Sequence, residues 1–310
     1  MTAIAFKTWK RGDERALHKP LLFLLALARI QQGKPRIGRY AELGPALGDL
    51  LAKYGNRSSK VSPEYPFWRF QSDGIWVVQS ASPITPSASG DVSNSTLMKA
   101  AASGGFTEDA YARYTAHPDE VRRDIITVLN DYFEPGLHPD LIADLGIDLA
   151  AEGESDNSIA PRTRRDPAFV DEVLRAYEYC CAICGYSGRL GHRLIALEAA
   201  HIKWHCYNGP DIPQNGLALC SIHHKAFDRG IIGLAASDSR ATPAPLILIS
   251  QDLNGSGPID ELFLRHHQRS IRAPQDPQKS PDPTFIAWHT REVFCGPARV
   301  LFRGTTENAI

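Results

Sequence analysis

Cysteine is absent from the first 179 residues of this 310-residue chain, and methionine occurs only twice. Long apolar runs are missing as well. The longest, Leu21 to Ala28, falls far short of the roughly 20 residues that span a bilayer. The N-terminal segment MTAIAFKTWKRGDER has neither the apolar stretch nor the small-residue cleavage site of a secretory signal, so the expected location is cytoplasmic. Net charge of one sign is lacking too: 34 Lys+Arg against 35 Asp+Glu leave −1. There is no internal repeat and no extended low-complexity tract. Membrane, secreted and fibrous classes therefore drop out. A 43% hydrophobic content is enough for ordinary cores and too much for a wholly disordered chain. The length suits two domains or three.

Charge is informative only by segment. Residues 1–70 carry 13 Lys/Arg and 5 Asp/Glu, residues 71–150 carry 4 and 12, and residues 151–310 carry 17 and 18. The basic first stretch is where a phosphate-binding surface is built with least effort; an evenly solvated surface is the competing reading. Cysteines show the opposite bias. Cys180, Cys181, Cys184, Cys206 and Cys220 cluster beside histidines, with Cys295 alone. Clustering of this kind, without an export signal, favours a metal site in a reducing compartment over a disulfide framework. The polar segment AEGESDNSIAPRTRRD separates the cysteine-free half from the Cys/His-rich half. Its composition predicts a linker over 151–166 between domains at 1–150 and 167–310.

In the first half, Pro20 suits a first helical turn and Gly33 an exit, which predicts a helix through PLLFLLALARIQQG, covered on most sides. Further helices are expected at 44–54, 119–132 and 139–149. Asp73-Gly74 between two aromatic-rich runs predicts a β-hairpin. In the second half, Asp166-Pro167 starts an amphipathic helix. A Cys-x-x-Cys knuckle follows, then a strand (RLIALEAAHI), a loop, a second strand (LALC) and a helix from Ser221 to Gly230. Strand, loop, strand and helix make a ββα unit. The fold class is α+β: an α-rich first domain with a small hairpin, and a ββα second domain.

Cys181-x-x-Cys184 and Cys220-x-x-His223 supply two ligand pairs, together a closed tetrahedral site for structural Zn²⁺. Cys180 is an alternative to Cys181, although two intervening residues suit a knuckle better than three. Buried free cysteines are the plain alternative.

Three further residues, His201, Asn215 and His224, resemble the HNH nuclease motif. The strings LEAAHI, QNGLALC and HHKAFDRG resemble in particular the branch found in McrA-type restriction enzymes, over residues 166–235. The resemblance implies a ββα-metal endonuclease. His201 is then the general base, a role that a neutral imidazole fills near pH 7. His224 is a ligand to a catalytic Mg²⁺ or Mn²⁺, and Asn215 either ligates that ion or locks the loop behind His201. Lys203, Lys225 and Arg229 are near enough to steady a phosphate, though solvated surface charge is the commoner explanation. One departure stands out. Many family members place Asp or His just before the base, where this chain has Ala200. Glu198 and Asp228 are the candidate replacements, and either could equally be structural.

HKPLLFLLALARI, SPEYPFWRFQSDGIW and Gly104 to Phe106, in that order, resemble the sulfur-binding domain of phosphorothioate-dependent McrA-type (type IV) restriction enzymes, over about residues 5–150. The resemblance implies an apolar cup walled by Tyr65 and Pro66 and edged by His18 and Lys19, with Arg69 close by. Such a cup favours sulfur, because a phosphate oxygen placed there loses its hydrogen bonds to water. A core-facing aromatic strand, with His18 capping the next helix, is the structural alternative. The whole chain then reads as a modification-dependent endonuclease for double-stranded DNA carrying phosphorothioate linkages, expected to act as a homodimer. The competing readings are an HNH enzyme that holds a flipped methylcytosine between Tyr65, Phe67 and Trp68, and a DNA-binding protein that does not cut. Residues 236–310 have no role in this reading beyond closing the second domain.

Overall fold

The computed structural model describes residues 6, 10–11, 14–149, 166–236 and 244–300. The expected linker lies outside these, except for Asp166. The chain divides into two compact units at 164/165, with residues 206–208 grouped with the first. No helix among the described residues is long and apolar enough to cross a membrane.

The first unit runs β1 (Lys10–Arg11), β2 (Glu14–Arg15), α1 (His18–Gln31), β3 (Ile37–Arg39), α2 (Tyr40–Tyr54), α3 (Glu64–Arg69), β4 (Trp76–Gln79), α4 (Asn94–Lys99), β5 (Ser103–Phe106), α5 (Glu108–Ala116), α6 (Pro118–Tyr132) and α7 (His138–Leu145). Helix α1 is central, as its nearly continuous apolar sequence demands. Lys19 to Leu24 are all buried, and the helix packs on α2, α3, α6 and α7. Gly33 ends it with φ +64, and Lys34 N–H returns to the Arg29 carbonyl at 2.9 Å, a left-handed exit that glycine adopts without strain.

The expected hairpin at Asp73-Gly74 does not form. SPEYPFWRFQ is helical: α3 runs straight into a 3₁₀ turn at Phe70–Asp73, which Gly74 closes at φ +78. The spacing explains the difference. Phe67 and Phe70 are three apart and both at most 1% exposed, whereas Tyr65 and Arg69 face outward. That is a helical face, with Pro63 and Glu64 opening it. Only the second aromatic run is a strand, β4, which pairs with β5. The sheet order is β3-β5-β4, antiparallel throughout. The central strand needs its glycines: a Cβ on Gly104 would stand 2.8 Å from Phe67 Cζ, and one on Gly105 1.9 Å from the Arg36 carbonyl oxygen. An edge-to-face aromatic network of Phe23, Phe67, Trp76 and Phe106 fills the space between sheet and helices. Two helix bounds also move. α2 starts at Tyr40 rather than Gly44, and α7 stops at Leu145 because Gly146 turns left-handed at φ +61.

The second unit runs α8 (Pro167–Ala176), β6 (Arg189–Leu190), β7 (Arg193–Leu194), β8 (Leu197–His201), β9 (Gly216–Cys220), α9 (Ser221–Asp228), β10 (Ile232–Ala235), β11 (Leu246–Ile249), α10 (Ile259–Leu262) and α11 (Pro283–Glu292). Asp166 caps α8, its side chain accepting from Ala168 N–H at 2.9 Å. The expected strand RLIALEAAHI is broken at Ala196, whose φ of +53 separates β7 from β8. β8 and β9 pair antiparallel from Leu197↔Cys220 to His201↔Gly216, and α9 follows, so a ββα unit is present. α8 and α9 both pack on this hairpin. Beyond it, β10 and β11 pair and α11 packs on β10, which brings the ring of His289 onto Phe227 at 3.8 Å between centroids and 7° between planes.

Candidate functional site

Two centres lie around α9, beginning with the cysteine knuckle. Ligand atoms of Cys181, Cys184, Cys220 and His223 all lie within 4.8 Å of one another. His223 Nδ1 stands 3.5 Å from Cys181 Sγ and 3.2 Å from Cys220 Sγ. Tetrahedral bonds of ~2.3 Å to sulfur and ~2.1 Å to nitrogen put such atoms roughly 3.5 Å apart, so the donors fit a metal ion. His223 Nε2 donates to the Leu262 carbonyl at 2.7 Å, which commits Nδ1 to the sulfurs. Hydrogen bonds from Cys184 and Cys220 hold the Cys181 thiol far below its usual range, the state in which sulfur binds a cation. Cys180 stands apart, its Sγ turned to the Glu178 carbonyl at 3.4 Å.

The second centre is built on β8 and the face of α9 next to the knuckle. His224 Nδ1 lies 2.6 Å from Glu198 Oε2, and its Nε2 lies 3.4 Å from Asp228 Oδ2. The other Glu198 oxygen accepts from Ser221 Oγ at 2.8 Å. Strand alternation puts positions 198 and 200 on one face, so Glu198 brings a carboxylate to the face where Ala200 has none. The two carboxylates differ in access: the Glu198 side chain is 43% exposed and that of Asp228 2%.

His201 ends β8, and its Nε2 lies 2.7 Å from Asp211 Oδ1. Its ring stacks on Phe169 at 4.2 Å and 12°. The residue opposite is Gly216, where a Cβ would meet Val173 Cγ2 at 2.3 Å and the Phe169 ring at 3.1 Å. The missing side chain is what lets α8 bring Phe169 against His201. Asn215 is fully buried and spends its amide on the connecting loop. Its Oδ1 accepts from Lys203 N–H at 2.8 Å, and its Nδ2 donates to the carbonyls of Lys203 at 2.9 Å and Pro210 at 3.0 Å. Lys203 is buried, Lys225 exposed and Arg229 half-buried. Asp211 and Phe169 had no signal in the sequence reading: one sits in a Gly-Pro-Asp turn, the other on an apolar helix face.

In the first unit, α1 packs on α3, the two elements that carry the expected reader residues. His18 is half-buried, and burial lowers its pKa below the usual histidine value against the pull of a backbone hydrogen bond at Lys60. Lys19 is buried and ion-paired with Asp73, its ammonium 6.0 Å from the Phe70 ring centroid. Tyr65 is 43% exposed and Pro66 buried. Arg69 forks onto both oxygens of Asp91 at 2.6 and 2.7 Å, and its guanidinium lies 5.5 Å from the Tyr65 ring centroid. The aromatic set for a flipped methylcytosine fails at Phe67, which is 1% exposed between Tyr40 and Trp76 and has no face to offer a base.

Comparison with known proteins follows these units. The family model of the ScoMcrA-like DNA sulfur-binding domain matches residues 3–150, and that of the HNH endonuclease matches residues 181–235. No curated protein matches. Among solved structures, the sulfur-binding domain of ScoMcrA complexed with phosphorothioated DNA is 26% identical over 46% of this chain and 93% of its own, with a TM-score of 0.42. The corresponding SprMcrA complex is 23% identical over 46% and 88%, with a TM-score of 0.39. The type IV phosphorothioation-dependent restriction endonuclease ScoMcrA is 27% identical over 42% of this chain and 25% of its own, with a TM-score of 0.39. The chain thus joins a ScoMcrA-like DNA sulfur-binding domain to an HNH endonuclease domain.

Proposed function

We propose that the protein is a modification-dependent restriction endonuclease in which residues 1–150 read a phosphorothioate on double-stranded DNA and residues 167–310 cut nearby. The observation that carries this is the joining, in one chain, of a sulfur-binding family domain and an HNH domain. In the reader, Tyr65 and Pro66 wall the cup, His18 and Lys19 edge it, and Arg69 reaches the backbone. The lowered pKa of His18 keeps its imidazole neutral near pH 7, which leaves the positive charge of that edge to Lys19.

In the nuclease, Cys181, Cys184, Cys220 and His223 hold Zn²⁺ as a structural ion. Glu198 and His224 would hold a divalent ion such as Mg²⁺ or Mn²⁺, with buried Asp228 beside the other nitrogen of the ring at 3.4 Å. When bound, that ion supplies charge for the phosphorane-like state and the leaving oxygen. His201 takes the proton from the attacking water. Asn215 clamps the loop between Lys203 and Pro210 through three hydrogen bonds, which favours the locking role over ligation. A double-strand break from one such site per chain calls for two copies.

The test uses three otherwise identical duplexes, one phosphorothioated, one with methylcytosine and one plain, with Mg²⁺ or Mn²⁺. Cutting confined to the first is expected, and His201→Ala should abolish it while binding persists. Equal cutting of all three removes the sulfur specificity, and unchanged cutting by His201→Ala removes the catalytic assignment.

A further inference from the structure

The loop residue Asp211 has no part in the reading above, yet its carboxylate meets the imidazole on which that reading depends. We propose that Asp211 is a positioning residue that holds His201 as the Nε2–H tautomer and so makes Nδ1 the basic nitrogen. The proposal deepens the proposed function and rests on His201 being the base.

Three observations carry it. Asp211 Oδ1 lies 2.7 Å from His201 Nε2, and a carboxylate only accepts, so the proton sits on Nε2. The His201 side chain is 2% exposed and stacked flat on Phe169, which leaves the ring little freedom to turn its nitrogens over. The loop that presents Asp211 is pinned one residue earlier, where the Pro210 carbonyl accepts from Asn215 Nδ2 at 3.0 Å. Asn215 thus acts on His201 through Asp211, which gives the buried amide a purpose.

Among the described residues around His201, Asp211 is a charged group in direct hydrogen-bond contact with the ring. From the loop come Asp211, His205, whose ring centroid is 6.1 Å away, and the buried Lys203. α8 turns Phe169 and Val173 inward, keeps Asp171 and Arg175 exposed and paired with each other, and leaves Glu172 exposed. β9 offers Gly216, which has no side chain. A carboxylate fixing the tautomer of a catalytic or metal-bound histidine is a device proteins use widely.

The experiment is single-turnover cleavage of the phosphorothioated duplex from about pH 5 to about pH 9 by wild type, Asp211→Asn, Asp211→Glu and His201→Ala, with DNA affinity and zinc content measured on each. Asp211→Asn should lower the plateau rate on the order of tenfold to hundredfold at unchanged affinity and zinc. Its acid limb should move to lower pH, because without the carboxylate the ring gives up its proton more readily. Asp211→Glu should recover much of the rate. ¹⁵N spectra of the His201 ring should show a protonated Nε2 in wild type and a tautomer mixture in Asp211→Asn, independently of activity. Wild-type rate, limb and tautomer in Asp211→Asn beside a dead His201→Ala would overturn the positioning role and leave the base standing. A His201→Ala variant that still cuts would overturn both.

Discussion

At His289 the fold keeps a neutral imidazole where water would let it charge. The ring lies flat on Phe227, donates from Nε2 to the Phe227 carbonyl at 3.2 Å, and is completely buried, so desolvation drops its pKa from 6.5 to about 3. The unfolded chain then takes up this proton first as pH falls. Stability declines from about pH 6.5 toward about pH 3, by about 2 kcal/mol already near pH 5. His289→Phe keeps the stack and removes the proton, so urea midpoints of the second unit at acid and neutral pH should converge. His138, buried in the first unit and likewise lowered, contributes with the same sign there. Beside the candidate metal site, the adjacent Cys180 and Cys181 make the sharpest contrast. Cys180→Ser should retain one zinc per chain by elemental analysis, and Cys181→Ser should lose it. Residue types and spacing made this site legible, because four donors in two pairs have few other uses. They could not reveal Asp211, since its partner depends on the path of a loop.

At the scale of elements, the hairpin β8–β9 and helix α8 form one tightly toleranced joint. Gly216→Ala puts a methyl into Val173 and Phe169, so α8 must retreat. A loss of about 1–3 kcal/mol is expected from overpacking, together with reduced cleavage as Phe169 leaves the His201 ring, read by urea denaturation and by activity on one preparation. Helices with clear punctuation were legible: the exit of α1 at Gly33, the start of α8 at Asp166-Pro167, the ββα order. The segment Tyr65 to Phe70 was not, because aromatic residues suit strands by propensity while here two of them, three apart, make a helical stripe. Gly74 gave a true turn signal, but it ends a helix. Glu198 and Asp228 were both legible as candidates for the carboxylate missing at Ala200, but that Glu198 is exposed and Asp228 buried shows only in the fold.

Among the described residues, an aromatic core lies between α1 and the β3-β5-β4 sheet and a second hydrophobic core around β8, β9 and α8. Calorimetry should therefore resolve two transitions. A strong zinc chelator should shift only the one belonging to the second unit, and superimposed transitions that move together would contradict this. A break between a cysteine-free half and a Cys/His-rich half was visible in the sequence, where the polar stretch at 151–166 precedes the first cysteine, Cys180. One short helix has a practical consequence for anyone preparing the enzyme. His223 and His224 are consecutive on α9, about 100° apart around its axis, so under the proposed function the strut that would seat one ion would also aim the ligand for the other. Order of reconstitution should matter: a fully stripped sample resupplied with magnesium alone stays silent, and returns to work only after zinc has first re-tensioned that shared turn.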